Sequence, residues 1–227
     1  MIAYSVNTGP LMDEFNEIAH IAHRKAFMSI GIEIQQDEIS SLESHISRLI
    51  DIKADFIAKQ MEPEASLVFC IVGTLKAVQN ELQMLLNFKS DQMALAWGNL
   101  VFAQTVLGPV IRNYPLENTG SIEGYLQKLV GYEKLLFPPM DFFSAGYIIR
   151  KSQCSICKQD SEDCDHLKGR LYMGELCYRI IVEADLLEGS SVSNPANKLC
   201  RVIAMETNGK IIDPMTMRET KRPSPEE

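Results

Sequence analysis

Basic residues are in short supply. The 227 residues carry 22 Lys and Arg against 30 Asp and Glu, a formal net charge of -8. That balance argues against a protein that coats nucleic acid or an anionic membrane, since both need clustered cations to displace counterions. Long apolar runs are missing too. The most apolar stretch, Ala65 to Leu75 (ASLVFCIVGTL), is far short of the roughly 20 residues that cross a bilayer, so it reads as a buried helix and no membrane partner is expected. The start, MIAYSVNTGPLMDEF, has no basic segment followed by an apolar run. No export signal is read from it, and a cytoplasmic location with reduced cysteines is the expectation. Catalytic motifs are equally scarce. Gly120 to Gly124 (GSIEG) lacks the Lys-Ser/Thr end of a phosphate loop, and no Gly-x-Ser-x-Gly elbow occurs. With four histidines in all and none after His166, no nucleophile has a base beside it in sequence.

What is present is enough apolar material, 46% of residues, for a substantial core. From Asp13 to Ile34 the apolar residues Phe15, Ile18, Ala22 and then Ala26 to Ile30 suit an amphipathic helix opened by acidic residues, with Gly31 ending or bending it. From Asp37 onward Ile39, Leu42, Ile46, Leu49, Lys53 and Phe56 fall on the a and d positions of about three heptads, a coiled-coil-like stripe widened by Ile50 and Ile57. Pro63 suits the first turn of a third helix running to about Phe88. Ser90-Asp91 opens a fourth, ending near Arg112 with Pro109 in its last turn, and Ser121 to Leu136 makes a shorter fifth stopped by Pro138-Pro139.

Composition changes after Phe142. Tyr147 to Arg150 reads as a short strand, LYMGELCYRIIVEADLLEGSSV mixes β-branched residues with turn formers, and Leu199 to Met205 (LCRVIAM) reads as a closing strand. The end, DPMTMRETKRPSPEE, loses apolar periodicity and reads as disordered. The expected protein is mainly α: an antiparallel helical bundle over residues 1–142, a small β-rich module over 143–210, and a loose tail over 211–227.

The chemistry concentrates in CSICKQDSEDCDHLKG. Cys154 and Cys157 form a C-x2-C pair, the spacing at which a tight turn aims two thiolates at one ion. Six residues separate Cys157 from Cys164, and His166 stands two beyond Cys164, so a thiolate and an imidazole on the same side of an extended segment can complete a tetrahedron. C-x2-C-x6-C-x-H therefore points to a structural Zn2+ held by Cys154, Cys157, Cys164 and His166. Such a closed set leaves no ligand position for a substrate. Disulfides or unliganded thiols are the competing readings, and Cys177 is an alternative fourth ligand. Cys200, on the closing strand, is a further candidate, although Cys177 and Cys200 both read first as core thiols, as does Cys70.

The pieces CSIC, DCDHLKG, LYMGELCY and LLEGSSVSNPANKLCRVI, spanning roughly residues 152–203, resemble a segment of some tailed-phage prohead (capsid maturation) proteases. The resemblance implies a zinc-bearing β module and a phage or bacterial setting. It does not extend to the helical first 142 residues, and no catalytic histidine and serine of that enzyme have a position in the matched part. Cys164-Asp165-His166 also contains the Asp-His pair of HNH-type nucleases, but such sites carry a later Asn and His, and no histidine follows His166.

Glu17, His20 and His23 follow a three-residue spacing like the Glu-x-x-His of carboxylate-bridged metal bundles, yet no second such motif exists and Glu43-Ser44-His45 has the wrong step. Trp97 reads as core. The functional expectation is a non-enzymatic, zinc-binding interaction or adaptor protein of bacterial or phage origin, with helices pairing with a protein partner or with copies of the same chain. The rival is a zinc-supported nuclease or other hydrolase using His166.

Overall fold

The computed structural model describes residues 9–115 and 119–221. The irregular start at 1–8, the middle of the connector at 116–118 and the end of the tail at 222–227 lie outside the described residues. The protein is mainly α, five helices followed by small antiparallel sheets: α1 Gly9–Lys25, α2 Ile32–Ala58, α3 Glu62–Lys89, α4 Met93–Asn113 and α5 Gly120–Leu136. The single helix expected from Asp13 to Ile34 is two. α1 stops at Lys25 and α2 starts at Ile32. Gln35, wholly buried, explains the break: its side-chain amide donates to the carbonyls of Lys25 and Phe27 at 2.8 and 3.0 Å, satisfying acceptors that the end of α1 leaves open. Lys89 Nζ closes the corner, 2.6 Å from both Gln35 Oε1 and the Ile30 carbonyl.

α3 is the central helix, with Leu67, Ile71, Leu75, Leu82 and Leu85 at most 1% exposed. The heptad stripe of α2 lies against it, Leu42, Ile46 and Leu49 buried and Ile39, Ile52 and Phe56 partly so, which places the stripe inside the chain. α4 covers the other side. Gly73 permits its approach, since a Cβ there would stand 2.5 Å from Val110 Cγ2. Among the described residues α4 is the one helix long and apolar enough to cross a bilayer by length and composition. Within the bundle it carries Asn99, whose amide donates to Asn80 and Gln83 and accepts from Asn87.

α5 closes the bundle around a buried polar cluster. Glu81 is wholly buried, with Lys128 Nζ 2.6 Å from its carboxylate, and burial pushes its pKa up while Lys128 pulls it back. His23 packs edge-on against Tyr125 with ring centroids 4.6 Å apart. Burial, then the charges of Lys128 and His20, push its pKa down to about 4. The folded state therefore resists protonating a group that the unfolded chain protonates near pH 6.5. Stability from neutral His23 is present above that pH and lost as pH falls toward 4, by up to about 3 kcal/mol. Urea unfolding of the wild type between pH 7 and 4 is expected to lose stability more steeply than the His23→Phe variant; superposable pH profiles would refute this.

The β part begins with a long antiparallel ribbon, β1 Phe142–Cys154 against β4 Arg179–Val192. The sequence pattern marks only Tyr147 to Arg150 of β1. At the base of the ribbon Phe142 is buried beside Trp97, which packs edge-on to Phe137 at 5.2 Å and donates Nε1–H to the Lys198 carbonyl at 2.9 Å. Trp97 is thus a core residue that ties bundle to ribbon. At the far end a short hairpin, β2 Leu171–Tyr172 and β3 Glu175–Leu176, sits in the segment joining the two long strands. Where a closing strand was expected at Leu199 to Met205, only Arg201 bridges to Phe142 and the next strand starts at Met205. Within the expected loose tail, the described residues include most of β6 Lys210–Asp213 and all of β7 Arg218–Glu219, which join β5 Met205–Thr207 in a three-stranded sheet tethered by a buried Met215 and by an Arg218–Asp91 ion pair.

Candidate metal centre

β1 delivers Cys154 to the tip of the ribbon, and the chain then turns back on itself. Lys158 takes a left-handed backbone, φ 62°, and its N–H donates to the Cys154 carbonyl at 3.0 Å, closing the turn that carries Cys157. The Ile156 N–H points at Cys154 Sγ, 3.4 Å away. Backbone donors at this turn, that of Cys157 first and then that of Ile156, lower the Cys154 thiol to about 6. Asp160 accepts from the Glu162 N–H and pairs through its backbone with Gln153, folding the polar KQDSED loop against the end of β1. The loop returns the chain to the turn, and Cys164 and His166 follow.

The sequence-derived four are brought together. Sγ of Cys154, Cys157 and Cys164 and a ring nitrogen of His166 all lie within 4.8 Å of one another. Cys157 and Cys164 sulfurs are 3.4 Å apart, and Cys164 Sγ is 3.2 Å from His166 Nδ1. A tetrahedral ion with bonds of about 2.3 Å to sulfur and about 2.0 Å to nitrogen needs edges of roughly 3.5–3.8 Å, so small adjustments of the side chains would close such a polyhedron. The cluster can hold a metal ion. Tyr172 braces the histidine, its ring edge-on at 4.5 Å and its hydroxyl accepting from the Leu167 N–H at 2.8 Å.

A fifth donor stands beside the four. Cys177 is buried and its sulfur lies 3.8 Å from Cys154 Sγ. Its backbone is pinned by paired hydrogen bonds, Cys177 N–H to the Arg170 carbonyl and Gly169 N–H to the Cys177 carbonyl, each 2.8 Å. The β2–β3 hairpin makes this meeting possible, and sequence spacing alone could not show it. His166 faces outward onto a cleft of about 600 Å3 that it shares with Glu62, Lys158, Tyr172 and Glu175.

The other sequence candidates are not drawn in. Cys200 is exposed and its carbonyl bonds the Phe143 N–H at 2.8 Å, at the base of the ribbon and so about 40 Å along β1 from Cys154. Cys70 is a core thiol pushed up to about 12 by burial. Glu17 and His20 are exposed on α1, whereas His23 turns inward to Tyr125. Among the described residues the Cys154–His166 cluster is the one grouping of three or more ligand-type side chains close enough to share an ion.

The lobe that carries the cluster is docked on the bundle. Lys53 Nζ reaches Glu175 at 2.6 Å and the Gly174 carbonyl at 3.2 Å, the Met173 N–H donates to Glu62, and Asn113 donates to the Gly169 carbonyl. Gly174, at φ 70°, lies so close to α3 that a Cβ would come within 2.7 Å of the Ala65 carbonyl oxygen. No family model, curated protein or solved structure matches the chain. The likeness to prohead-protease segments thus rests on its short motifs alone.

Proposed function

We propose that the protein is a non-enzymatic interaction protein in which a structural Zn2+, held by Cys154, Cys157, Cys164 and His166, staples the β lobe at the tip of the ribbon. The observation that carries this reading is the convergence of four donor atoms within 4.8 Å at the junction of ribbon, loop and hairpin. Four protein ligands fill a tetrahedral ion, so no position remains for a substrate or an activated water. Thiolate and imidazole donors suit zinc rather than magnesium or calcium, which take oxygen. The short motifs shared with prohead-protease segments support a phage or bacterial setting.

A second reading is kept alive by Cys177. If it joins the three other sulfurs, His166 is released toward the 600 Å3 cleft and can act as an acid or base in a hydrolase. His166→Ala separates the two. The structural reading expects bound zinc, measured by atomic emission on the purified protein, to fall from one per chain to well below half, with the lobe becoming protease-sensitive. Retention of one tightly held zinc in the variant would instead support the four-sulfur site.

A further inference from the structure

Among the described residues nothing covers most of the ribbon. Residues 147–151 of β1 and 181–189 of β4 are all exposed, although a two-stranded ribbon alone is marginal in water. Its register separates two unlike faces. Phe143, Ala145, Tyr147 and Ile149 alternate onto one of them, with Leu186 opposite Tyr147 and Ala184 opposite Ile149. Ser191 and Gly189 complete that face, which therefore carries no charge. The other face has Glu188 opposite Gly146 and Asp185 opposite Ile148, with Arg150 bonded to Asp185 at 2.7 Å.

We infer that the uncharged face of the ribbon is the contact through which two copies of this chain associate, ribbon on ribbon about a two-fold axis. This deepens the interaction-protein reading above and rests on it. The exposures of Phe143 (56%), Tyr147 (56%), Ile149 (50%) and Leu186 (66%), with the smaller residues between them, amount to roughly 600 Å2 per copy. Two copies would bury at most about 1,200 Å2, a size that suits a weak, concentration-dependent contact. Charge selects the same face. Two chains of net charge -8 repel, and a self-contact is least opposed where each presents no ionised group. A two-fold arrangement sets the same patch against itself and turns two unsupported ribbons into a two-layer sandwich with a dry interior.

Sedimentation equilibrium on the full chain, from about 1 to about 100 micromolar, tests it. The wild type is expected to be a concentration-dependent dimer. Leu186→Glu sets like charges against each other across the axis and is expected to weaken dimerisation at least about 100-fold, with zinc content and far-UV circular dichroism unchanged. Ile148→Glu, on the charged face, is expected to leave the dimer intact. A wild type that stays monomeric at 100 micromolar, or a Leu186→Glu protein that dimerises like the wild type, overturns the inference. Loss of zinc is a separate readout and bears only on the stapling reading.

Discussion

Chelation of the proposed zinc is expected to unfold the lobe between β1 and β4 and to leave the helices standing. Residues 155–178 bury little of their own: Gly169, Gly174 and Cys177 are the only buried positions, none of them a large apolar side chain, and Leu171 is half-buried against the bundle core. Without a core, the ordering entropy of that segment has to be met from elsewhere, and the contacts to Lys53, Glu62 and Asn113 are few and partly exposed. Structural zinc in small peptides contributes about 10–16 kcal/mol at neutral pH, more than enough to fold a lobe of this size. Hydrogen exchange is the appropriate measurement. The amides of Gly169 and Cys177, paired with Cys177 and Arg170, are expected to lose protection by at least 100-fold on addition of a strong chelator, while amides in α3 keep theirs. Cys154→Ser is expected to do the same without chelator, because Cys154 is both a proposed ligand and the last residue of β1. If the two amides remain protected after metal removal, the staple reading is wrong.

The lobe also marks where sequence reading succeeds and where it stops. The four donor positions are set by a turn and a short loop, so local spacing was sufficient to name Cys154, Cys157, Cys164 and His166 as a group. Cys177 arrives through a hairpin whose turn is Met173-Gly174, with φ values of 48° and 70°. Methionine is an unusual choice for such a turn and gave no signal. In the last sheet the signal was available: Asn208-Gly209 sits between Met205–Thr207 and Lys210–Asp213, with φ values of 52° and 73°, the pairing that favours a tight hairpin. The polar residues around it masked the pattern. The helices were legible because their apolar spacing is local, and Gly31 marked a stop, but the start of the break at Ala26 was not legible, since it depends on Gln35 reaching back to two carbonyls. The length of the ribbon was hidden for another reason. Its strands are paired across the whole lobe, and register shifts at Gly146/Tyr147, Ile149/Lys151 and Lys151/Ser152 break up the alternation by which a long strand is read from sequence.

Inside the bundle the largest single-residue effect is expected from Lys128→Met. Glu81 is wholly buried, and its charge is balanced by Lys128 Nζ at 2.6 Å. The ammonium is itself held 5.3–5.9 Å from the ring centres of Phe27, Tyr125 and Tyr132, a cage that favours a cation. Removing the lysine strands a carboxylate that burial already pushes toward its neutral form, at a cost of about 3 kcal/mol at pH 7, the low end for a broken buried pair because the Lys128 side chain is 31% exposed. Protonating Glu81 relieves part of that cost. The variant is therefore expected to be less damaged relative to wild type at pH 5 than at pH 8, the sign required when the folded state holds a carboxyl whose pKa is raised. Replacing both groups, Glu81→Leu with Lys128→Met, removes the stranded charge and is expected to return stability to within about 1 kcal/mol of the wild type. Urea denaturation of the two single variants and the double variant gives the coupling directly. A Lys128→Met protein as stable as the wild type at pH 8, or a double variant no better than Lys128→Met alone, would mean that α5 is held by its apolar contacts and the pair is incidental.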